Sequence, residues 1–205
     1  MDQGEVLRTP HDRCQNLPSE QGARALGRNP RPPVIWSRHR VVDIGPVLGQ
    51  FPVGFLEWVY GVLCLRGNEN VLHVCSGALG PDVRGVRVDI RAAVVPDVVA
   101  DGRALPFADD TFDAVLIDPP YSVEYAKALY ETDYPRPSAL LREAARVLRP
   151  GRRVGIVHFL VPGPVDGLRF VEVHGVTTGC GYRIRALTVY EKEQRSLFWR
   201  LGCQT

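Results

Sequence analysis

Apolar residues in this chain fall into short uninterrupted runs separated by glycine, aspartate and charged residues. VLHVCSG (71–77), GVRVDI (85–90), DVVADG (97–102) and FDAVLIDPPY (112–121) predict four successive strands, the third weak and the fourth strongest. RRVGIVHFL (152–160) predicts a fifth, and FVEVHGV (170–176) with YRIRALTVYEK (182–192) a closing pair. In the last run Tyr182, Ile184, Ala186 and Thr188 alternate with Arg183, Arg185, Leu187 and Val189, which predicts a partly buried strand. Helical spacing occurs in FPVGFLEWVYGVLCL (51–65), through Phe55, Val59 and Leu63 and through Leu56 and Val62. Pro52 suits its first turn, and Arg66–Gly67 its end. A second helix is predicted over 137–148, where Leu140, Leu141, Ala144, Val147 and Leu148 share a side and Pro150 and Gly151 follow. The stretch 122–138 reads as a loop.

Strands that are apolar at every position need cover on both faces. The expected architecture is therefore α/β: a mostly parallel sheet with helices on both faces. Such sheets bind ligands beyond the carboxyl ends of their strands. Cys75, Ser76, Gly77, Asp89, Asp101 and Asp118 all fall at such ends. The length of 205 residues suits one domain. The expected division is an Arg/Pro-rich arm over 1–40 and a single folded domain over 41–205, with no internal repeat.

Charge refines this picture only locally. The formal net charge is +2, too small to mark a nucleic-acid binder by itself, but residues 1–50 hold seven Arg against five acids. Two readings stand for this arm: contact with phosphates, or a solvated and partly disordered extension. RNPRPP (28–33) is expected to be extended. Trp36, Arg38, His39 and Arg40 form a second basic patch, unless Trp36 anchors the arm. Five cysteines, at 14, 64, 75, 180 and 203, contain no CxxC pair and leave an odd count. That argues against a disulfide framework and against a metal knuckle, and reads Cys64 and Cys75 as small core residues. A polar N-terminus, no apolar run of membrane-spanning length and this cysteine usage together lead to the expectation of a reducing cytoplasm and no membrane.

The strand ends carry the chemistry. Gly77 permits a turn or a close ligand approach that a side chain would block. Asp89 is placed to accept both hydroxyls of a ribose, with Ile90 beside it to cover a face of adenine. Asp101, followed by Gly102, is placed to accept from an adenine amino group. An ordinary turn and two surface caps are the alternatives. Asp118, Pro119, Pro120 and Tyr121 put an acceptor, a stiff backbone and an aromatic face within four residues. Such a group suits a planar amine. Tyr125, Tyr130 and Tyr134 with Lys127 and Arg136 either stack bases and hold phosphates or pack a short helix on the domain.

VLHVCSG, VRVDI, ADGRALPFADDTFDAVLIDPPY and LLREAARVLRPGRRVGIVHF resemble the successive elements of a class I methyltransferase, over roughly 50–192. The resemblance implies a Rossmann-like sheet of seven strands with an antiparallel last strand, and S-adenosylmethionine as cofactor, with no metal. It implies that the loop at Cys75, Ser76 and Gly77 passes the methionine part, that Asp89 takes the ribose and that Asp101 contacts adenine. QFPVGFLEWV resembles a cofactor segment of amino-methylating DNA enzymes, which would lay Phe51 and Pro52 over the methionine part. Family members often carry an acid where His73 stands, and more glycine than CSGALG supplies. Another acid, such as Asp118, or a backbone carbonyl must then hold the cofactor's ammonium, while His73 reads as a strand histidine.

DPPY resembles the acceptor motif of adenine-N6 and related amino-methylating enzymes. There the Asp118 carboxylate and the Pro119 carbonyl would each accept one N–H of the target amine, and Tyr121 would stack on the base. The resemblance places adenine N6 in DNA first. An RNA base, a weakly catalytic subunit binding nucleic acid or a partner, and a small amine remain as alternatives. With little chain after Lys192, target recognition is expected from the first 50 residues, from 122–138, or from a protein partner or second copy.

Overall fold

The computed structural model describes residues 51, 54–177 and 183–194. The 1–40 arm, Pro52 and the tryptophan–arginine patch at 36–40 lie outside them. The elements in chain order are α1 (Phe55–Val62), β1 (Val71–Val74), β2 (Val86–Asp89), a short 3-10 turn (Ala92–Val94), β3 (Val98–Val99), β4 (Phe112–Ile117), α2 (Val123–Tyr130), α3 (Pro137–Val147), β5 (Leu148–His158), β6 (Leu168–Val176) and β7 (Arg185–Lys192).

The seven strands form one sheet in the order β3-β2-β1-β4-β5-β7-β6. All pairs from β3 to β5 are parallel. Strand β7 runs antiparallel to both β5 and β6. This is the expected Rossmann-like class I methyltransferase sheet with its antiparallel last strand.

Strand β4 shows why the apolar runs are unbroken. Its six residues are all buried, and from Ala114 to Ile117 they alternate between two cores. Val115 and Ile117 pack with Leu72, Val74, Leu140, Leu141 and Ile156 on the α3 side. Ala114 and Leu116 pack with Phe55, Val59, Val62, Val157 and Leu187 on the α1 side. Within Ala114–Ile117 a polar residue on either face would meet packed side chains, whereas Asp113 near the strand's start is held by ion pairs with Arg149 and Arg152.

Several boundaries differ from expectation for identifiable reasons. Helix α1 starts after Gly54, whose φ of 79° lies in the left-handed region, and Cys64 at φ 61° stops it. Helix α3 gives way at Leu148 to extended backbone, because Pro150 disfavours helical geometry at Arg149 and draws the chain into β5. The stretch 122–138, expected as a loop, contains helix α2. Ser122 caps that helix by accepting from the Tyr125 N–H at 3.2 Å. Strand β7 is buried over Leu187–Tyr190 rather than partly exposed, because it lies inside the sheet between β5 and β6. Cys64 is disulfide-bonded rather than a free core thiol, whereas Cys75 is free. No helix among the described residues is long and apolar enough to cross a membrane.

Gly85, at φ +106°, turns the chain into β2 directly over β1. A Cβ there would lie 2.4 Å from the Val71 carbonyl oxygen, which is backbone and cannot swing aside. We predict that Gly85→Ala destabilises the protein by at least about 2 kcal/mol in urea unfolding, combining backbone strain with a steric clash. A midpoint within error of the wild type would show that the β1–β2 spacing is not tight.

Candidate active site

The carboxyl ends of β1, β2 and β4 converge on one cleft, open to solvent at its mouth. Of the residues singled out in the sequence, Cys75, Gly77, Asp89, Ile90, Asp101, Gly102, Asp118 and Pro120 line it. Parallel pairing brings them together. Val74 is in register with both Val88 and Ile117, so the residues that follow each strand emerge side by side.

The turn after β1 is shaped for close approach. Cys75 and Gly77 both have φ of 56°, on either side of Ser76. Left-handed backbone at a cysteine is uncommon and is held here by surrounding bonds. The Ser76 N–H donates to the Val88 carbonyl at 3.0 Å, and the Gly77 N–H to Asp89 Oδ2 at 2.9 Å. Burial, and then the Asp89, Asp118 and Asp101 carboxylates, push the Cys75 thiol well above its ordinary pKa. It is a neutral lining group rather than a nucleophile.

Asp89 and Asp101, expected to hold the cofactor, are each paired with an arginine two residues ahead. Asp89 Oδ1 accepts from the Arg91 N–H at 2.9 Å and from its Nε at 3.1 Å. Asp89 Oδ2 accepts from Gly77 and, at 3.4 Å, from Arg91 Nη2. Asp101 accepts from the Arg103 N–H at 2.8 Å and from its guanidinium at 2.6–3.0 Å. The Arg103 hydrogen bonds lower the Asp101 pKa. Arg91 and Arg103 are cleft residues that sequence reading missed. The Asp-x-Arg spacing, repeated at 89–91 and 101–103, was the available signal.

Asp118 differs from these two. Tyr121 OH donates to its Oδ1 at 2.8 Å, and no arginine among the described residues bonds it directly. Burial pushes its pKa up to about 6, opposed by the Tyr121 hydrogen bond and the nearby charge of Arg185. Arg185 Nη1 donates in turn to the Tyr121 hydroxyl at 3.3 Å. Tyr121 is turned inward, its ring 4.5 Å from Phe159 and edge-on to His158 at 5.7 Å. In this arrangement it braces Asp118 and does not line the cleft.

Four other predicted positions lie off the cleft wall or outside the description. Pro119 is buried beneath it. Ser76 is buried with its hydroxyl unpaired. Phe51 stacks on Phe55 at 4.6 Å and joins the α1-side core. Pro52 lies outside the described residues. His73 is buried in β1, and its Nε2 faces the Arg84 carbonyl at 2.9 Å. Burial lowers its pKa, so it is a neutral strand residue that does not reach the cleft.

The comparisons agree with this architecture. The sequence profile of the family described as "Methyltransferase domain" matches residues 42–156. The chain belongs to that family, and S-adenosylmethionine is its cofactor. It is 30% identical to Methyltransferase GfsG of Streptomyces halstedii over 142 residues, 68% of this chain and 45% of that protein. It is 43% identical to the demethylmenaquinone methyltransferase of Corynebacterium efficiens over 79 residues, 38% of this chain and 30% of that protein. The chain thus spans less than half the length of these curated relatives. The solved structure of TrmN from Thermus thermophilus superposes with a TM-score of 0.53 at 22% identity, over 69% of this chain and 49% of that one, and shows the fold.

The residues present fit the cofactor, and Asp89 supplies the test. A carboxylate offers about four lone-pair positions, and all those of Asp89 are filled. Two of its bonds come from backbone N–H groups, Gly77 and Arg91, and are part of the fold. The other two come from the Arg91 side chain, one on each oxygen. If the guanidinium swings away, each oxygen keeps one open position, which matches the two hydroxyls of a ribose. Tyr130, whose ring already lies 4.7 Å from the Arg91 guanidinium, offers a place to receive it.

Asp89→Ala is therefore expected to weaken binding of S-adenosylhomocysteine at least about tenfold, from the loss of two buried hydrogen bonds. Arg91→Ala is expected to leave that affinity unchanged or tighten it. Titration calorimetry measures both. Weaker binding in Arg91→Ala would mean that the arginine holds the cofactor instead of standing in for it.

Proposed function

We propose that this chain transfers a methyl group from S-adenosylmethionine to an exocyclic amine of a nucleobase, with adenine N6 in DNA as the first candidate. The observation that carries the reading is the state of Asp118. It sits on the cleft floor at the end of β4, braced by Tyr121 through one oxygen, and free of the arginine pairing that occupies Asp89 and Asp101.

The cofactor supplies a methyl group on a positively charged sulfur. The protein's task is to present an electron pair to it. The lone pair of an exocyclic base amine is delocalised into the ring, so the amine is a weak nucleophile. In this reading an ionised Asp118 accepts one N–H and the Pro119 carbonyl accepts the other. Two acceptors set out of the ring plane favour tetrahedral nitrogen and localise its lone pair. Alignment with the methyl group provides much of the remaining rate enhancement. After transfer the nitrogen loses a proton, to Asp118 or to water.

DNA stands before RNA on the DPPY resemblance alone, and a duplex target must be flipped out of its stack to reach the cleft. Target selection falls to the arm, to a protein partner or to a second copy of the chain. The competing reading is methylation of an aromatic ring carbon, which the named quinone methyltransferase supports. A ring carbon has no N–H for Asp118 to hold, and that separates the two.

Labelled cofactor incubated with DNA, RNA, nucleosides and a demethylated quinone, followed by digestion of the product, tests the proposal. Label in N6-methyladenine supports it, and label confined to the quinone overturns it. Asp118→Asn is expected to lower methyl transfer at least about a hundredfold with cofactor affinity within about twofold, because an amide cannot replace the charged acceptor. Transfer by the wild type is expected to fall as pH drops below about 6, where Asp118 becomes protonated and loses an acceptor site. The same shift makes a statement about stability. The folded state binds a proton that the unfolded carboxyl, with pKa about 4, has already released, so this group lowers stability as pH rises from about 4 to 6. Asp118→Asn should therefore melt at a higher temperature than wild type at pH 8, and an unchanged or lower melting point would contradict the buried charge.

A further inference from the structure

We propose that Tyr125, Phe159, Arg183 and Arg185 form a subsite beside the Asp118 corner that holds a neighbouring base and its backbone phosphate, so that the acceptor is a nucleotide chain and not a free nucleoside. The proposal rests on the nucleobase reading above and adds the part of the acceptor lying outside the cleft.

Three separate elements bring these residues together: α2 supplies Tyr125, the segment after β5 supplies Phe159, and the entry to β7 supplies the two arginines. The Tyr125 and Phe159 rings lie 6.3 Å apart at 69°, and both contact Tyr121. The Arg183 guanidinium stands 5.5 Å from the Phe159 ring, with Nη1 3.5 Å from the Tyr125 hydroxyl. Arg185 reaches the Tyr121 hydroxyl, which is bonded to Asp118. The group is thus continuous with the acceptor corner.

Arg183 and Arg185 have no carboxylate within ion-pair distance among the described residues, in contrast to Arg91 and Arg103 at the cleft. Asp118 acts on Arg185 only at a distance, through the Tyr121 hydroxyl between them. Arg185 is half-buried, with the Tyr121 hydroxyl as its one hydrogen-bonded protein partner among those residues. A guanidinium removed from water with most of its donors unused is unfavourable unless a ligand supplies an anion. A phosphate matches its planar fork. Val123, Leu160, Val161 and Ile184, adjacent in sequence to these groups, are exposed, and an occupant would shield them. An aromatic face beside an arginine without a counter-ion suits a base stacked next to its phosphate. A quinone or a simple amine would use the rings but not the two guanidinium groups.

The test measures kcat/KM for three acceptors: deoxyadenosine, an adenine-centred trinucleotide, and the same trinucleotide with neutral methylphosphonate linkages. The charged trinucleotide is expected to exceed both others by about tenfold or more. In Arg183→Ala, at an exposed position outside the core, the ratio of charged to neutral trinucleotide is expected to fall towards one. Tyr125→Ala and Phe159→Ala are expected to lower both trinucleotides while keeping that ratio, since stacking does not depend on backbone charge. A wild-type ratio near one, or an intact ratio in Arg183→Ala, overturns the subsite and leaves the nucleobase reading standing. If deoxyadenosine, these trinucleotides and their cytosine- and guanine-centred counterparts all remain unmethylated while another acceptor is turned over, the nucleobase reading fails and the subsite with it.

Discussion

The parallel pairing of β1 with β4 is the constraint on which the site depends. Val74 is in register with Ile117, and the Asp118 N–H donates to the Val74 carbonyl at 3.2 Å. That bond ties the start of the Asp–Pro–Pro–Tyr corner to the turn that carries Cys75 and Gly77. A slip of one residue would turn the buried side chains of β4 to the opposite core and move Asp118 off the cleft floor. The register is well specified because Ala114 and Leu116 fit one core while Val115 and Ile117 fit the other.

Around this pair the cleft divides its charges into two kinds. Asp89 and Asp101 are held by arginines close in sequence, so their negative charge is balanced while the cofactor site is open. Asp118 is balanced only at a distance, through the Tyr121 hydroxyl and Arg185. The arginine-paired acids suit exchange of one hydrogen-bonded partner for another. The less compensated acid suits a ligand that brings its own N–H donors. One cleft thereby holds two arginine-paired acids and one acid without an arginine partner among the described residues.

The second region extends outward. Residues from α2, β5 and β7 surround Tyr121 with aromatic rings and with the two arginines. His158 belongs to this setting. Its Nδ1 accepts from the Leu160 N–H at 3.0 Å, which leaves the proton on Nε2 facing the Tyr134 hydroxyl at 3.3 Å. Burial lowers its pKa, so this neutral tautomer persists and holds the chain just after β5 in place. The orientation of Phe159 follows from that turn.

Much of the fold was legible in the sequence by itself. Unbroken apolar runs such as VLHV and FDAVLI can be satisfied only by a sheet covered on both faces, and acids at the ends of such runs mark its ligand edge. Those local patterns determined the strand sequence, the two-sided core and the acids that line the cleft. Only the tertiary structure decided what else reaches the cleft. Arg91 and Arg103 drew no reading from the sequence, and it is the chain's turn that places each on its own aspartate. Tyr121 read as a stacking face, but packing against Phe159 and His158 turned its ring inward and made its hydroxyl a brace for Asp118. Arg183 and Arg185 lie more than sixty positions from Asp118, and the antiparallel entry of β7 beside β5 brings them to it. Local patterns report which backbone geometry buries a side chain, whereas contacts between distant segments depend on strand order, which the sum of two cores decides.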